Sequence, residues 1–156
     1  MSKENENIRY VVRNRKARHD YEIKNTFEAG IELQGSEVKS LREGKVTLSD
    51  AYAEVEHNQV ILKNMHIAPY KMAQEEIDPY RPRRLLLHKR EIYKLYVHTQ
   101  QRGMTLIPLS IYFKGKVAKV ELALAVGRKK YDKRQAIIKA EAERKIGRAM
   151  RKDLKD

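Results

Sequence analysis

The stretch from residue 105 to residue 126 constrains the fold more than any other part of the chain. Thr105, Ile107, Leu109, Ile111 and Phe113 occupy every second position, the period of an extended strand with one side turned to a core. Lys114-Gly115-Lys116 supplies a turn, and Val120, Leu122, Leu124 and Val126 repeat the period on the way back. Two long alternating segments around a tight polar turn predict an antiparallel hairpin, and a domain built around it is rich in β-structure.

Shorter signals fill in the rest. Phe27, Ala29, Ile31 and Leu33 alternate with Glu28, Gly30, Glu32 and Gln34, a half-buried strand. Ser36 is placed to cap a short helix that turns Val38 and Leu41 inward and closes at Gly44. Ala51, Ala53 and Val55 alternate with Tyr52, Glu54 and Glu56, and a turn at His57-Asn58-Gln59 leads into a strand over residues 60–66. Pro69, Pro79 and Pro82 bound a polar stretch with no period, read as a long loop over residues 70–84. Leu85-Leu86-Leu87 then enters a helix from about residue 89 to 102, with Ile92, Leu95, Tyr96 and Thr99 on one face and Gly103 at its end. About six strands with one or two helices between them fit a mainly β fold, a small barrel of the oligonucleotide-binding (OB) type. A β-sandwich is the alternative, and the helices between strands count against it.

Charge divides the chain differently. Residues 127–156 hold twelve Lys/Arg against five Asp/Glu, so +7 of the total +13 lies there. Residues 21–126 carry +3 and the first twenty carry the remaining +3. A nearly neutral body with basic arms points to a polyanion, most simply nucleic acid. The expected organisation is a flexible N-terminal arm over residues 1–13, a barrel over 14–126 and a basic C-terminal tail over 127–156. Asp132 and Gln135 resemble a capping box that opens a helix over about residues 133–152. Its apolar residues Ile137, Ile138, Ile146, Met150 and Leu154 form a thin, interrupted stripe. Such a helix is marginal alone, so the tail is expected to be disordered in the free protein and helical when bound.

Other classes of function find little support. There is no cysteine for a disulfide or thiolate site. No apolar run approaches the roughly 20 residues of a membrane span, and the polar N-terminus is unlike a secretory signal. A cytoplasmic protein with no membrane association is expected. His19, His57, His66, His88 and His98 show no metal-ligand spacing, and no nucleophile elbow or phosphate loop occurs. His19-Asp20 as an acid/base pair is disfavoured because adjacent residues rarely share one geometry. The chain reads as non-catalytic, with no metal and no cofactor.

Three basic clusters speak for RNA or DNA. Arg13, Arg15, Lys16 and Arg18 lie beside His19 and Tyr21, either as cations next to stacking rings or as a solvated arm. Arg81, Arg83 and Arg84 lead to His88, Lys89 and Arg90 at a helix start, where the helix dipole favours an anion. The competing reading there is a helix cap, since Glu91 follows His88 by three residues. Arg128, Lys129 and Lys130 precede Tyr131.

Five ordered strings are more specific than any of these. Asn14-Arg15-Lys16-Ala17-Arg18-His19-Asp20-Tyr21, Phe27-Glu28-Ala29-Gly30, and Glu37-Val38-Lys39-Ser40-Leu41-Arg42 before Gly44-Lys45 are the first three. Leu85-Leu86-Leu87-His88-Lys89-Arg90-Glu91 and Gly127-Arg128-Lys129-Lys130-Tyr131-Asp132-Lys133-Arg134 complete the set. With these blocks in order from residue 14 to the C-terminus, the chain resembles the SmpB family, the bacterial SsrA-binding proteins that partner tmRNA in trans-translation.

The resemblance implies an OB-type barrel that binds the tRNA-like domain of tmRNA and delivers it to stalled ribosomes, performing no chemistry itself. It assigns RNA binding to Glu28, Leu86 and His88, the last being Asn in some relatives. Arg15, Lys16, Arg18, His19 and Lys89 join them as candidate RNA contacts. Gly127 resembles the hinge between barrel and tail. Lys129, Lys130, Tyr131, Asp132, Lys133 and Arg134 match the block tied to accommodation on the ribosome. Tyr131 is His in some members, and Asp132 reads equally as a helix cap. The implied partners are tmRNA, the ribosomal decoding region and the mRNA channel, with the tail probing whether that channel is empty. The protein itself is expected to be a monomer. A general ribosomal structural or rRNA-binding protein is the alternative, and recovery on all ribosomes in fixed ratio would favour it.

Overall fold

The structure is a computed structural model that describes residues 7–74, 76–128, 138, 141–146 and 148. In chain order its elements are β1 (Ile8–Arg13), α1 (Arg15–Asp20), β2 (Tyr21–Ile31), α2 (Gly35–Arg42), β3 (Val46–Thr47) and β4 (Tyr52–Glu56). There follow β5 (Gln59–Lys63), β6 (His66–Ile67), β7 (Arg83–Leu86), α3 (Lys89–Thr99), β8 (Met104–Lys114) and β9 (Val117–Gly127). All pairings are antiparallel, in the order β1-β8-β4-β5-β7-β2-β9, and a further β8–β9 pairing joins the strands into a ring. The ring β8-β4-β5-β7-β2-β9 is the expected six-stranded barrel, with β1 laid along the outer half of β8 and β3–β6 forming a small separate ladder.

The long hairpin is present, but its face alternation is not continuous. Leu109 is an extra residue between the Pro108↔Leu122 and Ser110↔Glu121 pairs. Such a bulge reverses the faces of everything beyond it. Leu106, Ile111 and Phe113 therefore enter the barrel core, while Ile107 and Leu109 point to the other side. Lys24 does the same on β2, so Tyr21 and Ile23 lie outside while Phe27, Ala29 and Ile31 lie against the core. The outward apolar residues make a second small cluster with Ala123 and Ala125, and Ala17 of α1 sits on it.

Asn14 fixes this arrangement. Its side chain caps α1 by accepting from the Ala17 N–H at 3.2 Å. Its amide nitrogen donates to the Pro108 carbonyl at 3.0 Å and the Leu48 carbonyl at 3.3 Å, and its backbone N–H donates to the Leu109 carbonyl at 2.7 Å. The carbonyls of Pro108 and Leu109, at the bulge, thus find partners in one buried side chain and its own backbone.

Four local expectations are corrected. The N-terminal arm read as flexible through residue 13 is a strand from Ile8, because its backbone completes the free edge of β8. Residues 15–18 are the start of a helix and not part of a loose arm. Leu85 and Leu86, read as the entry to a helix, end strand β7, where Leu85 faces the core between β5 and β2. The helix expected to be capped by Ser36 begins two residues earlier, after Gln34, whose N–H donates to Glu37 at 2.8 Å. Residues 138, 141–146 and 148 are helical and exposed.

Candidate RNA interface

Cross-strand register builds one continuous outer face. Tyr10, Tyr112, Lys119, Gly30 and Leu86 lie in a single row across β1, β8, β9, β2 and β7. The next row runs Arg13, Ser110, Glu121 and Glu28. Two of the expected RNA-binding residues, Glu28 and Leu86, are thereby brought onto one surface from separate parts of the chain.

Glu28 is held and not merely displayed. The Tyr112 hydroxyl donates to its carboxylate, and the Lys114 ammonium stands 3.5 Å away. The Tyr112 hydrogen bond, joined by Lys114 and Lys119, holds the carboxyl below its ordinary range despite partial burial. Burial first, and then the Glu28 bond and charge, push the Tyr112 phenol up, so it stays a donor. Tyr112 packs against Tyr10 with ring centroids 5.5 Å apart, and the Arg13 guanidinium lies 3.9 Å from the Tyr10 ring centre. An ionised acceptor flanked by aromatic rings and cations suits base amino groups and sugar hydroxyls between phosphates.

Leu86 is 45% exposed and lies close over Gly30, where a Cβ would stand a tight 3.2 Å from the Leu86 Cβ. His88, Lys89 and Arg90 follow at once, exposed at the start of α3. The His88 N–H donates to Glu91 at 3.2 Å, so the helix-cap reading of this pair holds while the imidazole faces solvent.

Helix α1 brings the basic cluster to the same surface. Arg18 reaches Glu121 at 3.6 Å, and Glu121 accepts from the Ser110 hydroxyl at 3.2 Å. Arg13, Asn14, Arg15, Arg18, Ser110 and Glu121 line a cleft of about 220 Å³. Lys16 and His19 are exposed on the helix, and His19 Nδ1 lies 3.0 Å from Asp20. The adjacent pair does share a geometry, but it sits at the open surface and not in a cavity. Gly127 pairs with Tyr21, and the Arg128 N–H donates to the Asp20 carbonyl at 2.8 Å. The tail therefore leaves the barrel beside α1. Lys129, Lys130, Tyr131, Asp132, Lys133 and Arg134 lie outside the described residues.

One basic cluster has another purpose. Arg83 is fully buried on the core side of β7, and its guanidinium donates to Glu37 at 2.7 Å, the Met65 carbonyl at 2.7 Å and the Pro79 carbonyl at 3.1 Å. Arg81 holds the other Glu37 oxygen at 2.5 Å, and Arg84 pairs with Glu32 at 2.6 Å. Burial alone would raise the Glu37 carboxyl, but bonds from Arg81, Gln34 and Arg83 outweigh it and keep it low. These three arginines tie β7 to α2 and to the end of β2. Their partners are 44 to 52 residues away in sequence, which is why local reading took them for an RNA cluster. Tyr10, Tyr112, Lys119 and Glu121 join the face without any local sequence signal, since only strand register brings them to Glu28. Among the described residues there is no metal-ligand cluster and no helix long and apolar enough to cross a membrane.

Known proteins resemble this chain over most of its length. The family model described as SmpB protein matches residues 11–152. The SsrA-binding protein of Halothermothrix orenii is 57% identical over 147 residues, 94% of this chain and 95% of the relative. That of Geobacillus thermodenitrificans is 53% identical over 142 residues, 90% of this chain and 92% of the relative. A solved chain described by the words "tmRNA-SmpB: a journey to the center of the bacterial ribosome" is 48% identical, with a TM-score of 0.65 over 81% of this chain and 93% of that one. Similarity of this extent, joined to the six-stranded ring and its outer face, leaves one conclusion: the chain belongs to the SmpB family.

Proposed function

We propose that this chain is a non-catalytic, cytoplasmic RNA-binding protein that binds the tRNA-like domain of tmRNA and delivers it to stalled ribosomes in trans-translation. The relatives' name, SsrA-binding protein, and the solved tmRNA-SmpB neighbour support the partner. The observation that carries the reading is the convergence of Glu28, Leu86 and the α1 cations on one outer face. Glu28 and the tyrosine pair read RNA surface, while Arg15, Lys16, Arg18, His19, His88 and Lys89 contact its backbone and loops. Residues 127–156 act as the second module. The described tail residues are helical and exposed, and a helix with so thin an apolar stripe is marginal alone and gains stability on a partner. Gly127 serves as the hinge, and residues 129–134 seat the tail in the decoding region and the empty mRNA channel.

Replacing Arg18 by Ala tests the interface. Loss of one phosphate contact is expected to reduce the salt slope of binding to the tRNA-like domain by about one unit and to weaken binding at low salt. An unchanged slope and affinity with Arg18→Ala, Arg15→Ala and Lys16→Ala alike would move the interface off this face.

A further inference from the structure

The small β3–β6 ladder carries a cleft of about 390 Å³ that shares no residue with the outer face described above. Thr47, Ser49, Asp50, Asn64, His66 and Tyr80 line it. We infer that this cleft binds one unpaired nucleobase of an RNA strand and selects bases that carry an exocyclic amino group.

Its platform is built in advance. Tyr80 is 56% exposed, and its ring meets His66 edge-on with centroids 4.9 Å apart, leaving aromatic surface for a base to stack on. Three contacts seat Tyr80: its N–H donates to Asp78 at 2.9 Å, and the preceding Pro79 carbonyl accepts from the Ile67 N–H at 3.0 Å and from buried Arg83 at 3.1 Å. His66 is paired with Thr47 across the ladder. Asn64 is held at a φ of 61°, a left-handed conformation that asparagine tolerates better than most residues.

The polar groups around this platform are uncommitted. Among the described residues, the side chains of Thr47, Ser49, Asp50, Asn64 and His66 make no hydrogen bond or ion pair. This contrasts with the outer face, where Glu28 and Glu121 are both engaged. The lining residue with a formal charge is Asp50, so a phosphate is not the group that fits. A carboxylate accepts from N–H donors. Guanine, adenine and cytosine present an amino group at the pairing edge, whereas uracil presents carbonyls on both sides of its single N–H. Thr47, Ser49 and Asn64 add groups that match ribose hydroxyls. The net charge of +13 draws RNA to the molecule without needing a cation in the cleft itself.

The test is an amide ¹H–¹⁵N titration of the full chain with millimolar GMP, AMP, CMP and UMP. Saturable shifts at Thr47, Ser49, Asn64 and His66 are expected with the first three nucleotides, and at least fivefold weaker binding with UMP. Tyr80→Ala should weaken binding about tenfold. Asp50→Asn, whose amide donates as well as accepts, should strengthen UMP binding and reduce the discrimination below twofold. Should Tyr80→Ala disturb the fold, the discrimination measured with Asp50→Asn decides alone. Absence of shifts in the cleft, or equal shifts for all four nucleotides confined to α1, would overturn the inference. Because neither the cleft nor its probes involve the outer face, its failure would leave the tmRNA reading standing.

Discussion

Glu28→Gln perturbs the centre of the RNA face with little change of shape. The amide keeps an oxygen for the Tyr112 hydroxyl but loses the charge. The cost to folding is modest. The Lys114 pair spans 3.5 Å between side chains that are 34% and 42% exposed, where an ion pair is worth about 0–1 kcal/mol. Loss of charge assistance in the Tyr112 bond adds roughly 1 kcal/mol. That leaves most of the roughly 5–15 kcal/mol typical of a domain. In the proposed complex the same carboxylate accepts from the RNA, and losing a charged acceptor is expected to cost about 1.5–3 kcal/mol, roughly ten- to hundredfold in Kd. Urea denaturation and fluorescence anisotropy with the tRNA-like domain at fixed salt separate the two effects. Tyr112→Phe should weaken binding less, and the two substitutions together should fall short of additive because they release one pair. A folded Glu28→Gln protein with wild-type affinity would refute this reasoning.

The buried arginine gives a prediction about stability in place of binding. Glu37→Gln leaves Arg83 fully buried without its counter-charge and should cost about 3–5 kcal/mol in urea denaturation, whereas Arg83→Met with Glu37→Gln should recover much of the loss. A loss under about 1 kcal/mol would mean that the pair is hydrated. Glu37 is held below its ordinary value of 4.5, so its contribution is complete above that pH and disappears as pH falls through the lower folded value. Melts between about pH 2 and 6 should show acid stability falling steeply in the wild type and less so in the double variant; parallel curves would count against the assignment. Deletion from residue 129 onward, which keeps the Gly127 and Arg128 contacts to the barrel, should preserve most affinity for the tRNA-like domain but abolish peptide tagging. A large loss of affinity would contradict the division into two modules.

Legibility in the sequence followed the range of the interaction concerned. The β8–β9 hairpin is written in local alternation, and so are Phe27 to Ile31 on β2 and the turn at His57-Asn58 with both residues at positive φ. Bulges at Leu109 and Lys24 are not, because a bulge leaves the apolar period looking intact while exchanging the faces beyond it. The six-residue α1 is too short to show a helical period, and the one residue it buries is Ala17. Leu85-Leu86-Leu87 has no period at all, so strand and helix could not be told apart locally. The site divides in the same way. Glu28, Leu86 and His88 enter the proposed site through the resemblance of short strings. Tyr10, Tyr112 and Lys119 require the register of strands far apart in sequence. Arg83 was assigned to RNA because the carboxylate that neutralises it lies 46 residues earlier.

The central claim is recognition of one RNA shape by the barrel, beyond attraction to phosphate. Binding of the full chain to the tRNA-like domain of tmRNA, against ordinary tRNA, across a salt series tests it most directly. Both affinities should fall as salt rises, but the preference for the tRNA-like domain should persist when the phosphate contribution is screened. Equal affinities that collapse together would describe a general polyanion binder and contradict the account.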